Sequence, residues 1–406
     1  MSVETVDYRE CIGRVLAQDV VAKDPLPPFP ASVKDGYAVI AADGPGVRHV
    51  RGEASAGCDP DMSPLSPGQI IRINTGAPLP AGADAVVMVE NTKLVRSTDD
   101  GQEELEVEIL SSVTVGQDIR PVGCDIKTGE TVLRAGQVLG PGELGLLAAV
   151  GVTSVQVAAQ PVVTVISTGN EIQPPGETLL PGHVRDSNKT TLLSLLQSGG
   201  VTARDGGIAK DDIDTLTNTL AAAFKTSDII VTTGGVSMGD RDYLRKVLVE
   251  KFNANIHFAR VNMKPGKPTT FATCVVDGRT RLVLGLPGNP VSATVTCHLY
   301  VLPAVRLLSG VMSPLPGTVR AKLSTTSTVR LDPRPEYVRV HVMFTPGEAV
   351  GVAEITGDQM SSRQASMSRA NGLMILPGKT DQMSTVSSGF EADVILIGPL
   401  TQQLGK

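Results

Sequence analysis

Apolar positions recur along this 406-residue chain in two rhythms, and the rhythm changes three times. From Asp35 to about residue 123 they alternate with polar ones in short runs, at 69–73, 84–89 and 104–109, with turn clusters between; a period of two predicts an all-β unit. Between about 160 and 308, continuous apolar runs alternate with helical spacing, the signature of a parallel α/β sheet. Its predicted strands lie at 161–167, 201–208, 228–231, 256–261 and 281–286. Helices are predicted from Asp186 with Leu192, Leu193, Leu195 and Leu196 inward, over 211–224, from Tyr243, and over about 291–308. The last hundred residues return to alternation at 318–324, 337–342 and 392–397, which predicts a small barrel or sandwich.

The remaining segments suggest how these parts connect. Residues 8–17 read as a short helix without a large face of its own, and Glu143 to Val150 as a helix ending at Gly151. The prolines of 24–30 make a stiff connector, since each fixes its own φ and restricts its predecessor. Pairing 1–22 with 126–157 makes the β unit at 23–125 an insertion; 158–310 is then the α/β domain and 311–406 the C-terminal β domain. The acidic run 99–104 is expected at a solvated hairpin tip.

Composition narrows the function. No apolar run approaches the roughly 18 residues of a membrane helix, so no membrane span is expected. Cys11, Cys58, Cys124, Cys274 and Cys297 are odd in number and never form C-x-x-C, which argues against a zinc site and for a cytoplasmic setting. A net charge of −6, no Trp and 3% aromatics leave no footprint of a nucleic-acid binder. The five histidines are scattered and read as structural.

Candidate chemistry gathers in loops that follow predicted strands, where parallel sheets bind ligands. Gly234 and Gly235 lead through Ser237, Asp240 and Asp242 into a helix, either a plain connection or a turn whose backbone N–H groups and helix terminus attract an anion. It matches neither the P-loop nor the dinucleotide glycine pattern. Lys264 and Lys267 are held by Pro265, Gly266 and Pro268, and two ammonium groups fixed together attract an anion. Pro287, Gly288, Asn289 and Pro290 freeze a turn before Ser292. Glu171, Asp186, Asp240 and Asp242 supply carboxylates suited to Mg²⁺, although helix caps account for Asp186 and Asp240 as well.

Taken together, the stretches 232–239, 263–268 and 286–292 resemble the molybdopterin molybdenumtransferase family, the class of bacterial MoeA and the E domain of gephyrin. Segments 27–38, 74–78, 116–126 and 357–363 extend the resemblance over nearly the whole chain. It implies an elongated four-part protomer, a homodimer, and insertion of molybdate into adenylylated molybdopterin with Mg²⁺, giving molybdenum cofactor and AMP. By matching motif, Lys264, Lys267, Ser292, Arg339 and Ser361 would form the molybdate and phosphate pocket, braced by Pro265, Pro268, Pro287 and Pro290. Gly234, Gly235 and Asp186 would bind the adenylylated substrate, Ser237 and Asp242 would serve adenylate cleavage, and Asp242 with Glu171 would hold the metal. Asp35, Thr75, Arg120 and Asp125 would reach into the partner subunit's crevice, the two aspartates as catalytic groups. Two other functions are carried beside this one: a scaffold binding receptor loops as gephyrin does, weakened because its first helix has no counterpart here, and adenylylation of the pterin by the α/β unit itself.

Overall fold

The computed structural model describes residues 2–57, 63–235 and 243–402. They form two compact units, one mainly of residues 158–402 and the other mainly of 5–157.

In the larger unit the α/β sheet contains β1 (Val163–Thr168), β2 (Ala203–Ala209), β3 (Ile229–Thr233), β4 (Asn255–Phe258), β5 (Thr270–Val276) and β6 (Arg279–Leu286), in the order β2-β1-β3-β6-β5-β4. The first four in that order are parallel; β5 runs against them, and β4, paired antiparallel with β5, closes the edge. The sequence expectation of a wholly parallel sheet is corrected there. Residues 270–276 leave the lysine loop directly and return through the tight turn at Asp277 and Gly278, both at positive φ, so β5 and β6 make a hairpin without a crossover helix.

Alternation within the buried strands assigns each face its helices. Val163, Val165, Ile229, Val231, Leu284 and Leu286 meet Leu192 and Leu196 of α1 (Asn188–Ser198). Ile166, Ile230 and Val283 point the other way, onto Leu216, Leu220 and Phe224 of α2 (Ile213–Thr226) and Leu244, Val247 and Leu248 of α3 (Tyr243–Phe252). The sheet is therefore doubly wound. Leu193 and Leu195, expected inward, are only partly buried, because an 11-residue helix turns about 100° per residue and cannot aim four such positions at one sheet.

The final helix, α4 (Pro290–Leu308), is 19 residues long and has a mean hydropathy of 1.4, sufficient by length and composition to cross a membrane. This corrects the expectation that no apolar stretch approaches such a length. Cys297, Val301 and Val305 bury one side of it in the sheet's core, the environment of a core helix. The helix widens to a π turn at Cys297–Val301.

The C-terminal part contributes β7 (Thr318–Ser324), β8 (Glu336–Phe344), β9 (Gly351–Ile355), β10 (Gly372–Leu376) and β11 (Glu391–Leu396). They follow one another as β9-β7-β11-β10-β8, and β8 pairs back onto β9, closing a five-stranded barrel around Ala321, Val338, Val340, Val342, Met374 and Val394.

The second unit holds a six-stranded sheet built from residues 36–109. Tyr37, Val39, Ile70 and Val87 line one face, and Ala38, Ile71, Ile73 and Val86 the other. The acidic run does form an exposed hairpin tip, but its last member, Glu104, turns back to accept from Tyr37 Oη and Arg72, both at 2.6 Å. Residues 8–17 are not helical beyond a single 3-10 turn at Tyr8–Glu10; Cys11 and Leu16 are instead buried with Leu133, Leu139, Leu147 and Val157.

Candidate functional site

Strands β1, β3 and β6 run parallel, so the loops at their carboxyl ends share one edge of the sheet. Gly234 and Gly235 turn away from β3 at φ +87° and +66°. A Cβ on Gly234 would lie 2.6 Å from the Thr168 carbonyl oxygen, and one on Gly235 would lie 2.9 Å from Thr168 Oγ1. Only glycine lets the turn nest so closely against β1. Ser237, Asp240 and Asp242 fall outside the described residues.

Beside this turn opens a cleft of about 770 Å³ lined by Gly234, Gly235, Glu171, Asp186, Asn188 and Pro287, among others. Asp186 is buried, and its Oδ1 accepts from the Lys189 backbone N–H at 3.1 Å. Its Oδ2 has no hydrogen-bond partner; Lys189 Nζ stands 3.6 Å away and lies closer, at 2.9 Å, to Asp205. The capping contact expected of Asp186 thus coexists with a carboxylate oxygen left over for a ligand. The Glu171 carboxylate folds over Gly169, where a Cβ would come within 2.6 Å of it.

A second cleft, of about 730 Å³, is lined by the lysine loop, the α4 start and the 358–362 turn. Pro268, Pro287 and Asn289 line both clefts, so the two share a wall. Pro290, lining the first, opens α4. The lysine loop is stitched to the barrel: Lys264 N donates to Pro335 O, and Tyr337 N to Lys264 O. Gly266 sits so close to α4 that a Cβ would be 2.6 Å from Thr296 Cγ2. These contacts fix the backbone between Pro265 and Pro268.

The lysines differ in their partners. Lys264 Nζ is 3.2 Å from Glu336 Oε1 and 3.5 Å from Asp332 Oδ2, whereas Lys267 is exposed and makes no ion pair among the described residues. Arg334 also lines this cleft, gripping Asp332 through Nε and Nη2 at 2.8 and 3.2 Å. That guanidinium holds the Asp332 carboxyl down to about 2. The sequence reading missed Arg334, Asp332 and Glu336; their signal was a charged cluster at 332–336 just ahead of a strand, with nothing to show that β8 starts beside the lysine loop.

Arg339 and Ser361 serve this cleft differently. Ser361 lines it, accepts from Asn289 Nδ2 at 3.0 Å and receives the Val291 N–H on its carbonyl, which latches the 358–362 turn to α4. Ser292 lines the cleft from the first turn of that helix. Arg339 is fully buried beneath the turn; Nη2 donates to the Asp358 and Met360 carbonyls at 3.4 and 3.3 Å, and Nε to Ser366. Burial pulls its guanidinium down to about 10, and its Nη1 has no hydrogen-bond partner. In place of lining the cleft, Arg339 supports the turn that does.

In the other unit, Asp35 accepts from Thr75 N at 2.7 Å and Thr75 Oγ1 at 3.0 Å, contacts that hold its carboxyl below the ordinary range. Arg120 is ion-paired with Asp125, which also accepts from the Cys124 thiol at 3.4 Å. The Ala31–Ser32 strand joins the two pairs: it bonds to Ile119–Arg120 on one side, and on the other Ser32 exchanges backbone hydrogen bonds with Gly76 and Ala77. Motif segments far apart in the chain thus meet on one exposed edge of that unit.

Comparison with known proteins follows the same division. Residues 1–151 match the family described as MoeA N-terminal region (domain I and II), 164–307 that described as Probable molybdopterin binding domain, and 322–397 the MoeA C-terminal region (domain IV). The chain is 38% identical to gephyrin of Dictyostelium discoideum and 40% identical to the molybdenum cofactor synthesis protein cinnamon of Drosophila melanogaster, alignments covering 98% and 91% of it but spanning only 60% of either relative. It is 32% identical to the molybdopterin molybdenumtransferase of Staphylococcus aureus, over 98% of this chain and 91% of that one. Among solved structures, the molybdopterin biosynthesis MoeA protein from Pyrococcus horikoshii superposes with a TM-score of 0.78 at 30% identity, over 97% of this chain and 94% of that one.

Proposed function

The chain belongs to the molybdopterin molybdenumtransferase family, and from that premise we propose that it transfers molybdate into adenylylated molybdopterin, yielding molybdenum cofactor and AMP. The observation that carries this reading is the pair of clefts that share Pro268, Pro287 and Asn289 as lining. One offers a glycine turn and carboxylates, the other ammonium and guanidinium groups, so a phosphoanhydride and a tetrahedral oxyanion have adjoining seats. Backbone N–H groups at the glycine turn would orient the phosphates. Lys267, with Lys264, Ser292 and Ser361, would hold the oxyanion by charge-assisted and hydroxyl hydrogen bonds beside the dithiolene that receives the metal.

Mg²⁺ belongs to the same reading. No group of three or more His, Cys, Asp or Glu capable of caging a metal occurs among the described residues. Mg²⁺ does not need one, since it keeps water and phosphate oxygens and takes only one or two carboxylates. The unpartnered Asp186 Oδ2 and Glu171 in the same cleft fit that donor set; the resemblance names Asp242, outside the described residues, in place of Asp186. When bound, the ion would neutralise charge on the phosphoanhydride. A homodimer is part of the proposal too, with Asp35, Thr75, Arg120 and Asp125 serving the partner's cleft, as is a cytosolic setting, in keeping with the free thiols of Cys124, Cys274 and Cys297.

The test is AMP formation from adenylylated molybdopterin and Mg²⁺ with and without molybdate. Molybdate-dependent release of AMP is expected; no release under either condition would overturn the proposal.

A further inference from the structure

The oxyanion cleft is not a plain basic pocket. Of the three cations lining it, Arg334 is gripped by Asp332, and Lys264 Nζ lies within 3.5 Å of both Asp332 and Glu336; only Lys267 is left without an ion pair among the described residues. Glu336 is the deeper of the two carboxylates, its side chain 5% exposed against 17% for Asp332, while Lys264 keeps 38% of its side chain exposed at the cleft. Asp358 on the lining has its own partner in Arg363, so the carboxylates that face these three cations are Asp332 and Glu336.

We infer that Glu336, assisted by Asp332, is a built-in counter-ion that competes with the oxyanion for Lys264 and so sets its affinity low. The proposal rests on the oxyanion reading of this cleft and names a residue that tunes it. Lys264 is on a four-carbon stem with three donors, so its ammonium can exchange partners while its backbone, pinned by Pro335 and Tyr337, stays in place. An oxyanion that must be handed to a second substrate is served by such an arrangement. A site of uncompensated buried cations would hold a dianion too tightly to pass it on, whereas here each gain at the anion is offset by the contact Glu336 gives up.

Glu336→Gln tests this directly, because the amide keeps the shape and can still accept from Lys264 while the competing charge is gone. Molybdate binding to the full chain is measured by titration calorimetry, in the wild-type and Lys264→Ala backgrounds. The expected result is affinity raised about tenfold or more by Glu336→Gln, an order set by Coulomb attraction through a medium of effective dielectric near 20, with the gain abolished in Lys264→Ala. Unchanged or weaker binding in a Glu336→Gln protein whose melting is cooperative would overturn the inference and leave the oxyanion reading standing; no molybdate binding by the wild type would remove both. If Glu336→Gln does not fold, Asp332→Asn puts the same question to the second carboxylate: tighter binding supports the counter-ion role, and equal or weaker binding overturns it.

Discussion

At the scale of single residues, the two lysines of one short loop are unequal. Lys267 has no competing carboxylate among the described residues, so its full attraction is available to a ligand, and Lys267→Ala should weaken molybdate binding by roughly 1.5–3 kcal/mol, the range of hydrogen bonds to charged groups. Calorimetry on that variant checks it; unaltered affinity would remove Lys267 from the site. Gly234 makes a different argument, steric instead of electrostatic. Its φ of +87° and the 2.6 Å approach to the Thr168 carbonyl leave no room for a methyl group, so Gly234→Ala should lower stability by about 1–3 kcal/mol, as strained backbone does. Denaturant melts measure this, and a variant as stable as the parent would show that the turn has slack. Sequence alone made the glycines and lysines visible because proline and glycine punctuate loops. It misplaced Arg339, because an Arg in an alternating strand gives no sign of whether its guanidinium meets a ligand or the underside of the turn that does.

At the scale of elements, strand alternation and the spacing of leucines made the doubly wound core legible, since a buried face repeats every two residues in a strand and every three or four in a helix. The antiparallel edge at β5 and β4 was not legible as such, because a hairpin and a crossover differ in the turn, not in the strand pattern. Nor was the placing of Asp332, Arg334 and Glu336 beside the lysine loop, which depends on where β8 docks. Helix α4 carries its own prediction. His298, within the π turn, is buried and its pKa is lowered to about 4 by desolvation, below the 6.5 of an exposed histidine. In the unfolded chain it takes up a proton at higher pH than in the native one, so its contribution is complete above pH 6.5 and is lost as pH falls toward 4. The loss should be on the order of 3 kcal/mol at most, by the usual conversion of pKa into free energy. His298→Gln should flatten this stretch of a stability-versus-pH curve; an unchanged slope would place His298 in contact with water.

At the scale of the whole molecule, the residues that carry the family motifs divide between two compact units. Asp35, Thr75, Arg120 and Asp125 sit together on an exposed edge of one unit, while both clefts belong to the other. A homodimer gives such an edge a place to act, and light scattering should return twice the 42.4 kDa chain mass at micromolar concentration. A monomer at all concentrations would contradict it. The central claim, that adjoining clefts join an oxyanion to an adenylylated pterin, is tested most directly by a single-turnover reaction in which molybdenum bound to pterin and AMP released are counted in the same sample. Equal amounts, both reduced together in Lys267→Ala, are predicted; AMP released at the same rate without molybdate, or molybdenum bound without AMP, would contradict the account.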